Sequence, residues 1–344
     1  MMQASRAAGP RVVCFGEILL RLAAPRPQLL LQRDILEPTV CGAEANVAVN
    51  LSDLGHNARM VTALPGNQLG EAAQRAIASH GVEVNGCGNG QGRLGLYFLQ
   101  PGAMKRPASI VYDREGSAFA KLDPAHIDWN SLLEGTDWLF VGGITAALGE
   151  GPLAALRAGI ASARAMGVKV AFDTNFRPAL WKGREAQAAQ ILRELSLQSE
   201  LVFAGRRAVA MMLGGSFDHE DGDAGFAAAA DALFAQTPNV QYMAATRRMV
   251  HSSDRQDITG LLADRAGVCA SKTIALENVV DRIGTGDAFA AGIVHGILSG
   301  LSRDATIDFA AACAEWAHSV VGDFMLASLA DIDALASGTG DVRR

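Results

Sequence analysis

The residues most able to do chemistry stand together near the end of the chain, where residues 281–292 read DRIGTGDAFAAG. A Gly-Thr-Gly turn leads directly into an alanine-rich stretch that is typical of a helix. The first turn of a helix leaves backbone N–H groups unpaired and carries partial positive charge, and glycine lets an anion approach those groups closely. Gly284, Thr285 and Gly286 are therefore expected to form an anion hole, suited to the charge that develops on a transferred phosphoryl group.

Asp287 follows in the same turn. A carboxylate placed there can accept the proton of a substrate hydroxyl that points at the phosphoryl group. An aspartate at the start of a helix can also do no more than cap it. The paired glycines and the small residues behind them favour the catalytic interpretation, so we take Asp287 as a candidate general base.

The elements that must position this turn alternate between strands and helices. Such alternation favours a mostly parallel sheet with helices on both faces. Short apolar runs predict strands at 12–16, 59–63, 138–141, 168–172, 201–203, 240–244, 258–263 and 268–271. Helical spacing predicts helices over 42–55, 69–79, 153–166, 184–195, 206–213, 224–234, 287–298 and 305–321.

Two stretches interrupt that alternation, at 19–40 and 87–115. The first predicts strands at 19–22, 29–31 and 35–36, before Pro38, and the second predicts a hairpin of 94–99 with 108–112. We expect these stretches to form a discontinuous β lid over a core of 11–18, 41–86 and 116–335. Leu96, Phe98 and Ile110 are expected to share an exposed apolar face that pairs with the lid of a second subunit.

The composition excludes several kinds of protein. Hydrophobic residues make up 49% of the 344 residues and charged residues 19%, as in a globular chain. A net charge of −6 without a basic run argues against a nucleic-acid partner. The five scattered cysteines contain no C-x-x-C, and the histidines show no metal-ligand spacing, so we expect no disulfide, no protein-held metal and a cytoplasmic protein. The apolar runs are too short or too interrupted to span a bilayer, so we expect no membrane partner.

Residues 281–292 resemble the C-terminal signature of the ribokinase-like (PfkB-type) carbohydrate kinases, roughly D-T-x-G-A-G-D-x-F-x-x-G. Residues 41–48, CGAEANVA, resemble the N-terminal G-G-x-x-x-N-x-A signature of that family, with Cys41 in place of the first glycine. The resemblance extends along nearly the whole chain. It implies a ribokinase-like three-layer α/β/α sandwich with a small discontinuous β-sheet lid, ATP with Mg²⁺ as phosphate donor, and a homodimer through the lid.

Within that family the chain is most similar to the kinases of 2-keto-3-deoxygluconate, a small sugar acid phosphorylated on its 6-hydroxyl. The resemblance lies in Gly95-Leu96-Tyr97, Tyr112-x-Arg114, the strand end 142–145 and the stretch 172–181, which reads FDTNFRPALW. It implies that the sugar contacts are Gly42, Ala43, Asn46, Tyr97, Tyr112, Arg114, Arg177 and Asp287. Asn175 and Arg177 would bridge the sugar and the ATP phosphates. Two guanidinium groups can hold a carboxylate or phosphates in fork geometry.

Two nucleotide-site motifs of the family are altered. Its N-x-x-E corresponds here to residues 205–208, GRRA, and its K-x-G-x-x-G to residues 244–249, AATRRM. Arg206, Arg207, Arg247 and Arg248 are either substitutes that neutralise ATP phosphates or ordinary surface charges. We assign Thr246 and Arg248 to the nucleotide, together with Gly284 and Gly286.

Two alternatives remain open, with a nicotinamide oxidoreductase as a distant third. The chain could be another PfkB-type kinase, acting on fructose, ribose or a deoxy-keto acid. The lost motifs also suit a non-catalytic sugar-binding or regulatory protein.

Overall fold

The computed structural model describes residues 10–88, 90–218 and 222–338. Its strands are β1 (Arg11–Phe15), β2 (Leu19–Ala23), β3 (Glu37–Cys41), β4 (Asn57–Thr62), β5 (Glu83–Gly86), β6 (Gly95–Gln100), β7 (Ser109–Asp113), β8 (Trp138–Gly142), β9 (Lys169–Asp173), β10 (Leu201–Phe203), β11 (Tyr242–Val250), β12 (Arg255–Asp264), β13 (Gly267–Ala270) and β14 (Ile274–Glu277). Its helices are α1 (Ala43–Asp53), α2 (Gln68–Ala78), α3 (Trp129–Leu133), α4 (Gly143–Ala147), α5 (Glu150–Met166), α6 (Glu185–Ser196), α7 (Arg206–Leu213), α8 (Gly222–Phe234), α9 (Thr285–Leu298), α10 (Arg303–Ala317) and α11 (Leu329–Ala336).

Ten strands of the described chain form a central sheet in the order β13-β12-β11-β10-β9-β8-β1-β4-β5, with β14 also paired to β12. From β11 to β5 every neighbouring pair is parallel, and β12 to β14 add an antiparallel edge. The central strands are apolar on both faces, as in β8, whose five residues are all buried. A parallel sheet covered by helices on both sides requires this pattern.

Helices cover the sheet on both sides, so the fold has three layers. One core packs α5, α6, α7 and α8 against residues such as Phe15 and Phe172. The other packs α1, α9 and α10 against residues such as Cys14 and Phe140. The α/β/α sandwich predicted from the sequence is confirmed. No helix within the described residues is long and apolar enough to cross a bilayer.

A separate sheet of four strands, in the order β3-β2-β6-β7, stands beside the carboxyl ends of the parallel strands. We call it the small sheet. Strands β2 and β6 pair in parallel, and β3 and β7 are its antiparallel edges. That it acts as a lid stays a prediction.

The strand pair predicted at 29–31 and 35–36 is wrong. Those residues lie outside any strand, Leu31 is 79% exposed, and the strand begins at Glu37 and contains Pro38. Proline is tolerated there because β3 is an edge strand, where a missing N–H leaves no ladder bond unmade.

The exposed face predicted for the hairpin is also wrong in one residue. Ile110 pairs with Leu99 and so lies on the cleft side, whereas Val111, paired with Phe98, lies on the outer side. Since side chains alternate along a strand, residues 96, 98 and 110 cannot all share one face in this register.

Candidate active site

A cleft of about 970 Å³ opens between the small sheet and the carboxyl ends of the parallel strands. Ligands of open parallel sheets bind at this edge. Every site residue predicted from the sequence lines this one cleft: Gly42, Ala43, Asn46, Tyr97, Tyr112, Arg114, Asn175, Arg177, Thr246, Arg248, Gly284, Thr285, Gly286 and Asp287. The roles assigned to these residues remain predictions.

Asp287 lies in the first turn of α9, and its half-buried carboxylate faces the cleft. Asn46 of α1 donates a hydrogen bond from Nδ2 to Asp287 Oδ2 over 2.6 Å, and the Asn46 Oδ1 accepts from the backbone N–H of Gly42 over 3.2 Å. Desolvation raises the pKa of Asp287 well above its usual range; the Asn46 hydrogen bond opposes that shift. The result is a fixed carboxylate with an enhanced affinity for a proton.

The turn before Asp287 has the form of an anion hole. Gly284 precedes the helix in the left-handed region, at φ 76°, and no side chain caps the first turn. A Cβ at Gly284 would lie 2.0 Å from the carbonyl oxygen of Asp323, so only glycine fits. A Cβ at Gly286, by contrast, would meet no atom within 4 Å. The first turn of α9 therefore borders the open space of the cleft, and its first N–H groups have no intrahelical partner and are available to an anion.

Two further acidic residues lie on the cleft floor, and sequence reasoning missed both. Asp173 ends β9, and Glu44 of α1 is 2% exposed, with the hydroxyl of Thr145 donating to its Oε1 over 3.3 Å. Burial raises the pKa of Asp173 to about 6 and that of Glu44 to about 7. At neutral pH the floor of the cleft thus carries less negative charge than its residue types suggest.

Arginines supply the positive charge of the cleft. Among the described residues, Arg177, Arg248 and Arg282 line it without a carboxylate partner within salt-bridge distance. Arg248 Nη2 donates to Thr285 Oγ1 over 3.3 Å. Desolvation inside the cleft and the nearby Arg282 lower the pKa of Arg248 to about 10, so it remains cationic at neutral pH. Arg282 was not predicted, although it stands within the C-terminal signature.

The other arginines considered as phosphate ligands do not line the cleft. Arg206 pairs with Asp218 over 3.5 Å, and Arg247 pairs with Asp223. Of the four candidates, only Arg248 reaches the cleft.

On the small sheet, Tyr97 and Tyr112 are register partners whose ring centroids lie 6.2 Å apart. Arg114 is already engaged, because its Nε donates to Glu17 Oε2 over 2.6 Å. Both side chains are buried, at 8% and 1% exposure. This pair uses one edge of the guanidinium, and the Nη groups are the part of Arg114 left to meet a ligand.

Comparison with known proteins assigns the chain to a family. The sequence pattern of the pfkB family carbohydrate kinases matches residues 10–324. The chain belongs to this family. Kinases of the family use ATP as the phosphate donor.

Some relatives of this PfkB kinase are named as kinases of deoxy sugar acids. It is 28% identical to the 2-dehydro-3-deoxygalactonokinase of Haloferax volcanii over 95% of this chain and 96% of the relative. The crystal structure of 2-dehydro-3-deoxygluconokinase from Thermotoga maritima is similar, with a TM-score of 0.90 and 33% identity over 96% of this chain and 100% of that chain. A PfkB family carbohydrate kinase from Listeria grayi has a TM-score of 0.87 and 34% identity, with the same coverage. This chain is therefore a sugar kinase similar to those of 2-dehydro-3-deoxy sugar acids.

Proposed function

We propose that this kinase transfers the γ-phosphoryl group of ATP to the 6-hydroxyl of 2-dehydro-3-deoxygluconate, also called 2-keto-3-deoxygluconate. The observation that carries the proposal is the position of Asp287, which stands beside an uncapped helix end in the same cleft as two tyrosines and the arginines. A proton acceptor next to an anion hole is the arrangement that attack of a hydroxyl on a phosphoryl group requires.

Asp287 accepts the proton of the attacking hydroxyl, and Asn46 holds its carboxylate in place during the attack. The N–H groups at residues 284–287 receive the charge that develops on the transferred phosphoryl oxygens. Arg177 and Arg248, which have no carboxylate within salt-bridge distance in the described chain, neutralise the phosphates from the sides of the cleft.

The sugar acid lies under the small sheet. Tyr97 and Tyr112 contact it, and the free Nη groups of Arg114 bind its carboxylate together with Arg177. Within residues 10–88, 90–218 and 222–338, no group of three or more His, Cys, Asp or Glu side chains could hold a metal ion. Mg²⁺ that accompanies ATP would be held mainly by phosphate oxygens and water.

We further propose a cytoplasmic homodimer that forms through the outer face of the small sheet. Leu22, Phe98 and Val111 lie side by side there in adjacent strands, and Val111 is 56% exposed. Sedimentation of the wild-type chain and of Val111→Lys tests this, because a charge on that face should dissociate the dimer.

ADP release measured over acidic and neutral sugars tests the reaction. We expect turnover with 2-dehydro-3-deoxygluconate or its galactonate epimer and little with fructose or ribose. Asp287→Asn should lower kcat by about 10²–10⁴ while a non-hydrolysable ATP analogue still binds. Wild-type turnover by Asp287→Asn would show that another group accepts the proton.

A further inference from the structure

Three buried side chains and one partly buried carboxylate join the small sheet to the turn that begins α9. Arg21 of β2 and Tyr97 of β6 are register partners on the cleft side, at 4% and 6% exposure. Asp281 and Asp323 belong to the two loops that meet at the turn. The proposed reaction assigns no role to Arg21, Asp281 or Asp323.

The Arg21 guanidinium binds both carboxylates. Its Nη2 lies 2.6 Å from Asp281 Oδ2, and its Nη1 lies 2.7 Å from Asp323 Oδ1. The Tyr97 hydroxyl donates to the other oxygen of Asp323, Oδ2, over 2.8 Å. Burial raises the pKa of Asp323, and Arg21 and Tyr97 oppose that rise. The small sheet thus occupies both oxygens of Asp323 and one of Asp281.

The same carboxylates fix the backbone of the turn. Asp281 Oδ1 accepts hydrogen bonds from the N–H groups of Arg282 and Ile283, over 2.7 and 3.1 Å. The carbonyl of Asp323 lies against Gly284, where an added Cβ would approach within 2.0 Å. A displacement of Arg21 therefore moves both segments that determine where the N–H groups of the anion hole point.

We propose that Arg21 is a positioning residue that couples the seating of the small sheet over a sugar acid to the geometry of the phosphoryl-binding turn. Its Nη groups already bind two aspartates, so it acts through them and not on the reacting atoms. A sugar acid that holds the small sheet in place preorganises the turn for ATP, and ATP does the same for the sugar acid. The inference rests on the proposed function for the identity of the two substrates.

Arg21→Lys separates this role from a purely structural one. Lysine keeps the positive charge but lacks the planar guanidinium with its paired N–H donors, so it cannot bind both carboxylates with the same geometry. We expect the wild type to bind AMP-PNP with Mg²⁺ about tenfold more tightly, by calorimetry, when 2-dehydro-3-deoxygluconate is saturating. In Arg21→Lys this enhancement should fall below about threefold and kcat should fall about tenfold, with the KM for the sugar acid changed less than about threefold.

Hydrogen exchange of the substrate-free protein gives a readout that needs no activity. Backbone amides of residues 281–290 should exchange about tenfold or more faster in Arg21→Lys than in the wild type. Tyr97→Phe, which removes one bond of the network, should give a smaller increase. Arg157→Lys is the matched control, because Arg157 forms a two-bond pair with Glu194 on the exposed surface; its exchange and kinetics should not change.

The outcomes separate the two proposals. Arg21→Lys with a lower melting temperature but wild-type exchange, kcat and substrate coupling would show an ion pair that only stabilises the fold, and would overturn the inference. Failure of the proposed function would appear instead as no ADP release from the wild type with any sugar acid. In that case faster exchange of residues 281–290 in Arg21→Lys supports the positioning role, and unchanged exchange overturns it.

Discussion

Glu44 makes the stability of this kinase depend on pH. Its carboxyl group is 2% exposed and fits against Gly16 and Gly142, where an added Cβ would lie 2.1 and 2.6 Å from its oxygens. Burial raises its pKa from 4.5 to about 7. Such a difference corresponds to about 3 kcal/mol of folding free energy.

The direction in which stability changes with pH follows from the protons that each state binds. Between pH 4.5 and about 7 the folded state keeps the Glu44 proton, whereas the unfolded state loses it. The stability that Glu44 contributes is therefore fully present below pH 4.5 and is lost as the pH rises through about 7. Glu44→Gln has nearly the same shape, keeps an acceptor for Thr145 and cannot ionise, so it should remove this loss.

Urea unfolding at pH 5, 6, 7 and 8, at constant ionic strength and without ligand, measures the effect. We expect the free energy of unfolding of Glu44→Gln, minus that of the wild type, to increase by about 2–3 kcal/mol from pH 5 to pH 8, with equal m-values. Glu71→Gln is the control, because Glu71 is an exposed residue paired with Arg75 at 3.6 Å, and its difference should stay within about 0.5 kcal/mol. Parallel curves for Glu44→Gln and the wild type would refute the argument.

The glycine turn and the arginines give further predictions. Gly286→Ala should leave the melting temperature nearly unchanged, since nothing lies within 4 Å of the new Cβ, yet lower kcat/KM for ATP at least about tenfold by placing a methyl group in the anion hole. Gly284→Ala should instead destabilise the fold by more than about 1 kcal/mol in the same thermal assay, because φ is 76° and the Cβ meets backbone. Arg248→Ala should raise the KM for ATP about tenfold, whereas Arg247→Ala, next along β11 but outside the cleft, should change it less than about twofold in steady-state kinetics. Equal effects of the two arginine variants would contradict the assignment.

The sequence predicted the parts of this molecule whose signals are local. The helix at 42–55 and the helix that begins at the Gly-Thr-Gly turn were predicted to within a few residues, because glycine and the spacing of small apolar residues mark their ends. The two signature segments identified the residues that meet across the cleft, including Asn46 and Asp287, although they lie 241 residues apart.

The missed residues are those whose role depends on distant partners. Arg21 is the one charged residue in the apolar stretch LLRLA, and its partners Asp281 and Asp323 lie 260 and 302 residues further along the chain. Glu44 reads as an ordinary acidic residue in the first turn of a helix. Only the folded structure shows that the Glu44 carboxyl group fills the space left by the missing side chains of Gly16 and Gly142.

The parallel pairing of β2 with β6 has a consequence for how the protein folds. Between these strands the chain passes through β3, α1, β4, α2 and β5, most of which belongs to the central sheet and its helices. Closing so long a loop is entropically unfavourable until the intervening segment has folded. We therefore expect the α/β/α sandwich to fold first and the small sheet to pack against it afterwards. The active-site cleft would then form only in the last step of folding.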